Sequence, residues 1–245
     1  MSNQQKKYRK GGFTFKNFFV AHDRCAMKVG TDGVLLGAWA PIDGVNKALD
    51  IGSGSGLIAL MLAQRNESLT VDAVELDVDA AQQAQDNFVE SKWAARLQVV
   101  NQNIIQFSEQ ARNQYDLIVS NPPYFEPAVL CRDEKRDQAR YTGTLTHEIL
   151  LNCAKKCLAK QGLFCLILPY EIGENVEAMA QNSGWFTAFR INISDKAKTP
   201  CHRILLGFKR EQVVTMISTL TLKEENGHDY TEDFQQLIRP FYLKY

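Results

Sequence analysis

The sequence predicts an α/β fold built on a doubly wound, mainly parallel β-sheet. From residue 47 onward, short apolar runs alternate with longer amphipathic runs. The short runs are partly β-branched, as strands buried in a parallel sheet are, and the longer runs have helical spacing. The chain has 245 residues, of which 45% are hydrophobic. That content is enough to bury the core of such a fold.

The predicted elements follow one another in strand–helix order. Strands are predicted at 47–51, 71–75, 97–101, 116–120 and 163–168, and around 185–193 and 203–208. Helices are predicted at 56–65, 78–91 and 146–160. One stripe of the last helix holds Ile149, Leu150, Cys153, Cys157 and Leu158. Its two cysteines are therefore predicted to be core thiols rather than metal ligands.

The two ends of the chain lie outside this alternation. The aromatic-rich residues 11–20 predict a short strand or hairpin. Residues 31–40 predict a helix, with Thr31 and Asp32 as N-cap candidates. The tail 211–245 predicts a further strand and a final helix.

The composition excludes several classes of protein. The 28 basic and 28 acidic residues cancel, which excludes a uniformly basic nucleic-acid binder. No apolar run approaches the roughly 20 residues of a membrane span, and no apolar segment follows the basic start, so neither an anchor nor a secretory signal is predicted. Six cysteines without a CxxC pair predict neither a disulfide scaffold nor a zinc or redox site, and no metal is expected. We predict a cytoplasmic protein with one domain over residues 1–245, in which residues 1–30 form a basic tail and an N-terminal hairpin.

Charge is unevenly distributed along the chain. Residues 1–28 hold seven basic residues and one acidic residue, residues 29–130 hold five basic and thirteen acidic residues, and residues 196–210 hold five basic residues and no acidic one. One interpretation is solvated surface. The other is a rim that binds nucleic-acid phosphates, because each Lys or Arg that neutralises a phosphate releases a counterion. The candidate contacts are Lys6, Lys7, Arg9, Lys10, Lys196, Lys198 and Arg203.

A glycine-rich loop follows the first strand of the alternation, at the kind of strand end where open α/β sheets bind ligands. Asp50, Gly52, Gly54 and Gly56 follow the pattern D-x-G-x-G-x-G. The glycines allow a tight turn and close approach of a ligand, and Asp50 favours a ligand with an ammonium over a pyrophosphate. The spacing differs from the G-x-G-x-x-G of dinucleotide sites. Taken alone, the loop is consistent with a dinucleotide, with S-adenosylmethionine or with a plain turn.

The next two strand ends carry groups suited to a nucleoside. Glu75 lies about 20 residues after the last glycine, just before Leu76, and can accept hydrogen bonds from both hydroxyls of a ribose. Asn103, followed by Ile104, could contact an adenine edge. Asp77 belongs either to this site or to a helix N-terminus, where acids are favoured.

The fourth strand runs directly into Asn121, Pro122, Pro123 and Tyr124. Two prolines fix φ and remove two N–H donors, which predicts a rigid turn poor in donors. The side-chain carbonyl of Asn121 and the main-chain carbonyl of Pro122 then offer two acceptors for the hydrogens of a planar amino group. Tyr124 offers a face on which a flat ring can stack. A plain proline turn would not explain the flanking Asn and Tyr.

In this order, the glycine loop, the acid that ends the second strand and N-P-P-Y resemble class I S-adenosylmethionine-dependent amino-methyltransferases. The stretch 22–37 is further similar to the bacterial family that methylates N6 of the adenine 3′ of the anticodon in tRNA(Val). The resemblance implies S-adenosylmethionine as cofactor, tRNA as partner, and a seven-stranded sheet whose last strand is antiparallel. It also implies that Thr31 and Asp32 lie near the methionine end of the cofactor. Asn103 departs from the family pattern, where aspartate is usual, so it keeps an acceptor but lacks the charge.

The resemblance also implies a mechanism without a dedicated base. Asn121 and Pro122 would bind the two amino hydrogens and stabilise the charge that develops on nitrogen, while the glycine loop holds the methyl donor in line. The product ammonium loses its proton to water. His22, Cys131 and His147 are therefore interpreted as structural or solvated.

Other functions stay open from the sequence. A guanine-N2 RNA methyltransferase or a protein glutamine methyltransferase could use the same tetrapeptide, although the latter usually carries a helical domain before the glycine loop. A DNA adenine methyltransferase normally adds a recognition domain, for which the 211–245 tail is short, so a folded RNA is the better substrate. A non-catalytic RNA-binding module is an alternative from a different class, and a nicotinamide dehydrogenase is disfavoured by the glycine spacing. No obligate protein partner is evident.

Overall fold

The structure, a computed structural model, describes residues 9–123 and 145–244. The strands in these residues are β1 (Gly12–Thr14), β2 (Phe19–Ala21), β3 (Lys47–Ile51), β4 (Thr70–Glu75), β5 (Leu97–Asn101), β6 (Tyr115–Ser120), β7 (Leu158–Pro169), β8 (Phe186–Ser194), β9 (Cys201–Lys209) and β10 (Met216–Thr221). The α-helices are α1 (Thr31–Trp39), α2 (Leu57–Arg65), α3 (Val78–Val89), α4 (Ile104–Gln110), α5 (His147–Cys157), α6 (Tyr170–Asn182) and α7 (Glu232–Ile238).

The main sheet confirms the predicted α/β class. Its strands lie in the order β10-β8-β9-β7-β6-β3-β4-β5. Neighbouring strands are parallel except for β9, which runs antiparallel to β7 and β8. The chain places β4 and β5 on one side of β3, and β6 and the later strands on the other. The order therefore reverses between β3 and β6, where such sheets open a crevice for ligands.

The strand count differs from the one that the resemblance implied. Counted along the chain, the seventh strand of this sheet is β9, and it is the antiparallel one. The strand predicted in the tail joins the same sheet as β10, which pairs parallel with β8 at the edge. Within the described residues the sheet thus has eight strands, and the last strand is parallel to its neighbour.

Helices cover both faces of the sheet. Along β7, Cys165 belongs to one buried cluster, and its neighbours Phe164 and Leu166 belong to the other. Residues of α1, α2 and α7 complete the first cluster, and residues of α4, α5 and α6 complete the second. Cys153 and Cys157 are buried in the second cluster, which confirms that they are core thiols.

The N-terminal hairpin packs against the C-terminal segment. β1 and β2 pair antiparallel, and the ring centroids of Phe13 and Phe15 lie 5.5 and 5.9 Å from that of Tyr242. The backbone N–H of Lys16 donates to the carbonyl of Phe241 at 2.7 Å. The ends of the described chain therefore support each other, although they are far apart in sequence.

The start of α1 differs in detail from the prediction. Gly30 is the N-cap residue, and it makes no side-chain capping bond. Asp32 instead accepts from Arg203 of β9, so the predicted capping role of Thr31 and Asp32 is wrong. Across residues 9–123 and 145–244, no helix has the length and apolar content needed to cross a membrane.

Candidate active site

The register of the sheet places the glycine loop beside Asn121. Ile51 of β3 lies opposite Ser120 of β6, so the residues that follow, Gly52 and Asn121, leave the sheet side by side. The buried Ser120 hydroxyl donates to the carbonyl of Ile51 at 2.9 Å and ties the two strand ends together. On the other side of β3, the carbonyl of Val74 accepts from the Gly52 N–H at 2.9 Å. Three strand ends therefore meet at this point.

Two cavities open at this edge of the sheet. Cavity I, of about 500 Å³, lies between the glycine loop, the start of α1 and segments that follow β8 and β10. Cavity II, of about 510 Å³, lies between the glycine loop, the end of β4 and the start of α4. Both are lined by Met27, Gly52, Gly54 and Asn121. These four residues form the boundary between the cavities.

Asn121 holds an unused amide oxygen at this boundary. Its Oδ1 is buried and has no hydrogen-bond partner among the described residues. Burial of a polar atom without a partner costs about 1–3 kcal/mol, so such an atom calls for an explanation. The carbonyl of Pro122 likewise accepts no hydrogen bond within residues 9–123 and 145–244. Nothing in residues 9–123 and 145–244 thus uses the amide oxygen to stabilise the fold. Tyr124 and Cys131 lie outside the described residues, and their roles stay predictions.

Gly52 and Gly54 provide an open surface on the loop. Their φ angles are +72° and +53°, a region that favours glycine. A Cβ at either position would meet no atom within 4 Å, and both residues line both cavities. A ligand can therefore approach the backbone closely at these two positions.

Gly56 has a different role from the one predicted. It lines neither cavity, and a Cβ there would lie 2.5 Å from the ring of Phe88 in α3. The predicted cofactor contact is corrected: Gly56 permits close packing between the start of α2 and α3.

Glu75 is held at the wall of cavity II. Its Oε2 accepts from the N–H of Gly54 at 2.8 Å, and its Oε1 accepts from the N–H of Asp77 at 3.0 Å. Each carboxylate oxygen has a further lone pair for a ligand. Leu76 is exposed beside it and lines the same cavity. Asp77 caps α3 by accepting from the N–H of Ala80 at 2.8 Å, which matches its interpretation as a helix N-terminal acid.

Asn103 and Ile104 line the part of cavity II formed by the start of α4. Asn103 is the N-cap of this helix, and its Oδ1 accepts from the N–H of Ile105 at 2.9 Å. One lone pair of that oxygen is therefore used by the helix. The other lone pair and the amide N–H groups remain for an adenine edge.

Asp50 is buried behind the glycine loop and does not form part of a cavity wall. It has no exposed surface, it lines neither cavity, and neither carboxylate oxygen has a hydrogen-bond partner among the described residues. Its pKa is raised to about 7, mainly by burial, which outweighs the opposing backbone N–H of Ala59 in α2, and to a smaller extent by the charge of Glu75. The predicted contact with an ammonium is corrected, because the side chain lies behind the loop.

Thr31 and Asp32 line cavity I at the first turn of α1. The Asp32 carboxylate accepts from Nε of Arg203 at 2.9 and 3.0 Å. Arg203 lines the same cavity, and only 27% of its side chain is exposed. Arg203 therefore lies within a cavity wall, in an ion pair, and not on an exposed rim, which corrects its predicted position; its contact with RNA stays a prediction.

Of the predicted RNA contacts Lys6, Lys7 and Arg9, only Arg9 lies within the described residues. Lys6 and Lys7 lie outside the described residues. Arg9 forms an ion pair with Glu90 of α3 and lies 4.6 Å from the centroid of the Phe19 ring. Its charge is thus already compensated within the protein.

The remaining predicted RNA contacts, Lys10, Lys196 and Lys198, line neither cavity. Lys10 and Lys198 are exposed. Lys196 donates from Nζ to the carbonyl of Glu225 at 3.2 Å and so connects two surface turns. None of the three lines cavity I or cavity II. Their binding to RNA stays a prediction.

Several lining residues were missed from the sequence. Cavity I includes residues from late in the chain, namely Asp195, His202, Leu222, Lys223, Tyr230 and Phe234. No motif marks them, because tertiary packing brings them to the glycine loop. The segment before α1 also contributes Met27 to both cavities and Lys28 to cavity I. Its similarity to a known family was the signal that could have identified these two residues.

His22 and His147 do not form a catalytic group with Asn121. His22 accepts from the N–H of Val29 through Nδ1 at 3.1 Å, which is a structural role. His147 lines a separate cavity, and burial lowers its pKa. Within the described ranges, no group of three His, Cys, Asp or Glu side chains could hold a metal ion.

Comparison with known proteins places this geometry in a family. The model of the methyltransferase small domain matches residues 33–182. The chain belongs to the methyltransferase small domain family. The similarity to methyltransferases inferred from the glycine loop and N-P-P-Y is thereby confirmed.

Relatives of this methyltransferase cover nearly its whole length. A tRNA1(Val) (adenine(37)-N6)-methyltransferase from Photorhabdus laumondii is 57% identical over 99% of both chains. A protein of the same name from Serratia proteamaculans is 59% identical over 97% of this chain and 92% of its own. Among solved structures, a predicted O-methyltransferase from Agrobacterium tumefaciens superposes with a TM-score of 0.70, at 18% identity, over 86% of this chain and 96% of its own. This last similarity supports the fold alone.

Proposed function

We propose that this protein is an S-adenosylmethionine-dependent methyltransferase that modifies N6 of adenine 37 in tRNA1(Val). Relatives of that name match it over almost its full length, and it belongs to a methyltransferase family. We further propose that residues 1–245 form one methyltransferase domain and that it works in the cytoplasm, where its tRNA substrate is found.

The position of Asn121 is the observation that supports this function most directly. Its buried Oδ1 has no partner among the described residues, and the residue borders both cavities. An acceptor at that boundary suits an amino group that must meet a methyl donor. A nicotinamide site would not require it.

The residues of the crevice fit S-adenosylmethionine. Cavity II offers Glu75 to the two ribose hydroxyls and Leu76, Asn103 and Ile104 to the adenine. Gly52 and Gly54 leave backbone open at the boundary, and the first turn of α1 with Thr31 and Asp32 suits the charged amino-acid end in cavity I. When bound, the cofactor supplies a methyl group whose bond to sulfur breaks, leaving the electron pair on sulfur, as a bond to N6 forms.

The protein's own groups act on the target nitrogen. The lone pair of an adenine amino group is delocalised into the ring, which makes it a poor nucleophile. The Asn121 amide oxygen and the Pro122 carbonyl each accept a hydrogen bond from one of the two N6 hydrogens. These bonds favour a pyramidal nitrogen. Both acceptors stabilise positive charge as it develops, which is electrostatic stabilisation of the transition state. The methylated nitrogen then releases one proton to water, so no side-chain base is needed.

The test is methyl transfer to a defined RNA. The purified protein is incubated with labelled S-adenosylmethionine and a transcript of tRNA1(Val), and the nucleosides are then analysed. We expect label in N6-methyladenosine, and no label when adenine 37 is replaced by guanine. Label in methylguanosine or in protein would contradict the proposal.

Asn121→Ala tests the role of the amide. We expect kcat to fall by at least about 100-fold, as when one donor of an oxyanion hole is removed, while S-adenosylmethionine binding by calorimetry stays near that of the wild type. Asn152→Ala, at an exposed position of α5, is the matched control and should keep full activity. A normal rate for Asn121→Ala would contradict the mechanism.

A further inference from the structure

The two cavities differ in the charge of their walls. Cavity II has the acidic residues Glu75, Asp77 and Asp79, and its one lining arginine, Arg24, forms an ion pair with Asp86. The charged or titratable residues that line cavity I are Lys28, Asp32, Asp195, His202, Arg203 and Lys223. The mouth of cavity II therefore repels phosphate groups, and that of cavity I contains cations.

A thiol in cavity II responds to this negative charge. The pKa of Cys25 is raised to about 11, mainly by burial and further by the charges of Glu75 and Asp77. The negative charges of the acidic wall therefore act on groups inside cavity II. They favour a positively charged cofactor there and disfavour a polyanion.

Outside its one ion pair, cavity I is lined by two lysines and one acidic residue, Asp195, so its walls carry a net positive charge. The charges of Arg203 and Asp32 offset each other in their ion pair. The ammonium groups of Lys28 and Lys223 have no hydrogen-bond or ion-pair partner in the part of the chain that the structure describes. Phosphate is the anionic group that an RNA substrate presents, and free lysines on one cavity mouth can neutralise it with release of counterions.

The two lysines are held by different parts of the fold. Lys28 is exposed in the segment before α1. Lys223 follows β10; its backbone N–H donates to the carbonyl of Asp195 at 2.8 Å, and the residue pairs with Tyr230 in an antiparallel bridge. The backbone of Lys223 is therefore fixed, while its side chain carries a free charge.

We propose that RNA approaches the active site over cavity I, and that Lys28 and Lys223 bind backbone phosphates next to the target adenine. This inference rests on the proposed function, since it takes tRNA as the substrate. The charge distribution separates the two ligands: the adenosine part of the cofactor lies along the acidic cavity II, its amino-acid end reaches only the first turn of α1, and the nucleic acid enters from the side with Lys28 and Lys223. These lysines are positioning residues that act in RNA binding, not in the chemical step.

The test is the salt dependence of tRNA binding. Affinity for a tRNA1(Val) transcript is measured by fluorescence anisotropy across a range of KCl concentrations for the wild type, Lys28→Ala, Lys223→Ala and the double variant. For single-stranded RNA, each lost phosphate contact lowers the slope of log K against log salt by about 0.7, so the double variant should lose about 1.4. We also expect the double variant to bind roughly 10-fold more weakly near physiological salt.

Three controls separate this inference from its alternatives. Lys92→Ala removes an exposed lysine at the opposite edge of the sheet, between α3 and β5, and should leave the slope unchanged. S-adenosylmethionine binding by calorimetry and kcat at saturating tRNA should be unchanged in the double variant, because only KM for tRNA should rise. If the wild type methylates tRNA but the double variant keeps the wild-type slope, or matches Lys92→Ala, the inference is overturned. If the wild type methylates no tRNA, the proposed function itself fails.

Discussion

Asp50 is a buried acid that has no hydrogen-bond or ion-pair partner for its carboxyl oxygens among the described residues. Its side chain has no exposed surface, and its pKa is raised to about 7, first by burial and then by Glu75. In an unfolded chain the pKa of an aspartate is about 3.9. The folded protein therefore holds a proton on Asp50, between about pH 4 and pH 7, that the unfolded chain releases. This group's contribution to stability is fully present below about pH 4 and is lost as pH rises through about 7.

We expect the stability of Asp50→Asn relative to the wild type to increase as pH rises. The amide cannot ionise, so it avoids the cost of a buried charge that the wild type meets above its pKa. The difference in unfolding free energy between the variant and the wild type should be about 2–3 kcal/mol larger at pH 8 than at pH 5. Urea denaturation without cofactor at the two pH values measures it. A difference that does not change with pH would show that Asp50 titrates normally in the folded protein.

Residues of the site were predictable where their function depends on local sequence. Gly52, Gly54 and Asn121 follow the ends of two strands that pair with each other. The motifs recognised in the sequence therefore lie together in the fold. Asp50 was misassigned because it lies within β3, where alternate side chains point to opposite faces and its own is covered by the protein. The exposed position predicted for Arg203 was wrong because its partner, Asp32, is distant in sequence.

At the scale of elements, the glycine loop serves both the ligand and the packing of α2. Gly54 has open space where a side chain would begin, whereas Gly56 has the ring of Phe88. Glycine is thus required at position 54 to leave room for a ligand and at position 56 to leave room for Phe88. Sequence alone assigns both glycines to the ligand, because the contact with α3 exists only in the folded chain.

Exchanging each glycine for alanine should separate the two roles. Gly54→Ala should cost about 1 kcal/mol of stability for a left-handed φ and should weaken S-adenosylmethionine binding, since the added methyl group lies where both cavities meet. Gly56→Ala should cost at least about 2 kcal/mol more, because a Cβ 2.5 Å from Phe88 forces the helices apart. Urea denaturation and calorimetry measure the two effects. The reverse pattern, with Gly56→Ala stable but impaired in cofactor binding, would contradict this assignment.

Element boundaries were predictable to within a few residues, except where a distant partner decides them. The helix predicted at 146–160 ends at Cys157, because Leu158 pairs with Tyr115 and begins β7. The tail strand was predicted, but not its place beside β8. The spacing of hydrophobic residues indicates whether a segment is a helix or a strand. It does not indicate which strands pair, because pairing depends on the whole fold.

At the scale of the whole molecule, the C-terminal segment completes both the core and the site. Phe234 and Ile238 of α7 are buried in the cluster that contains α1 and α2. Phe234 also lines cavity I together with Lys223 and Tyr230. The tail thus supplies one wall of the proposed RNA entrance and holds the N-terminal hairpin through Phe241, and no motif in its sequence indicates either role.

Phe241→Ala tests whether this closure stabilises the protein. The side chain is 1% exposed in the cluster with Phe15 and Phe18, so its loss should lower the unfolding free energy by about 3–5 kcal/mol. Phe186→Ala is the matched control, because Phe186 is 38% exposed at the start of β8 and its loss should cost less than about 2 kcal/mol. Urea denaturation followed by circular dichroism measures both. Equal costs would mean that the C-terminal segment lies on the surface without stabilising the fold; the expected gap would mean that its packing with Phe15 and Phe18 of the N-terminal segment stabilises the protein.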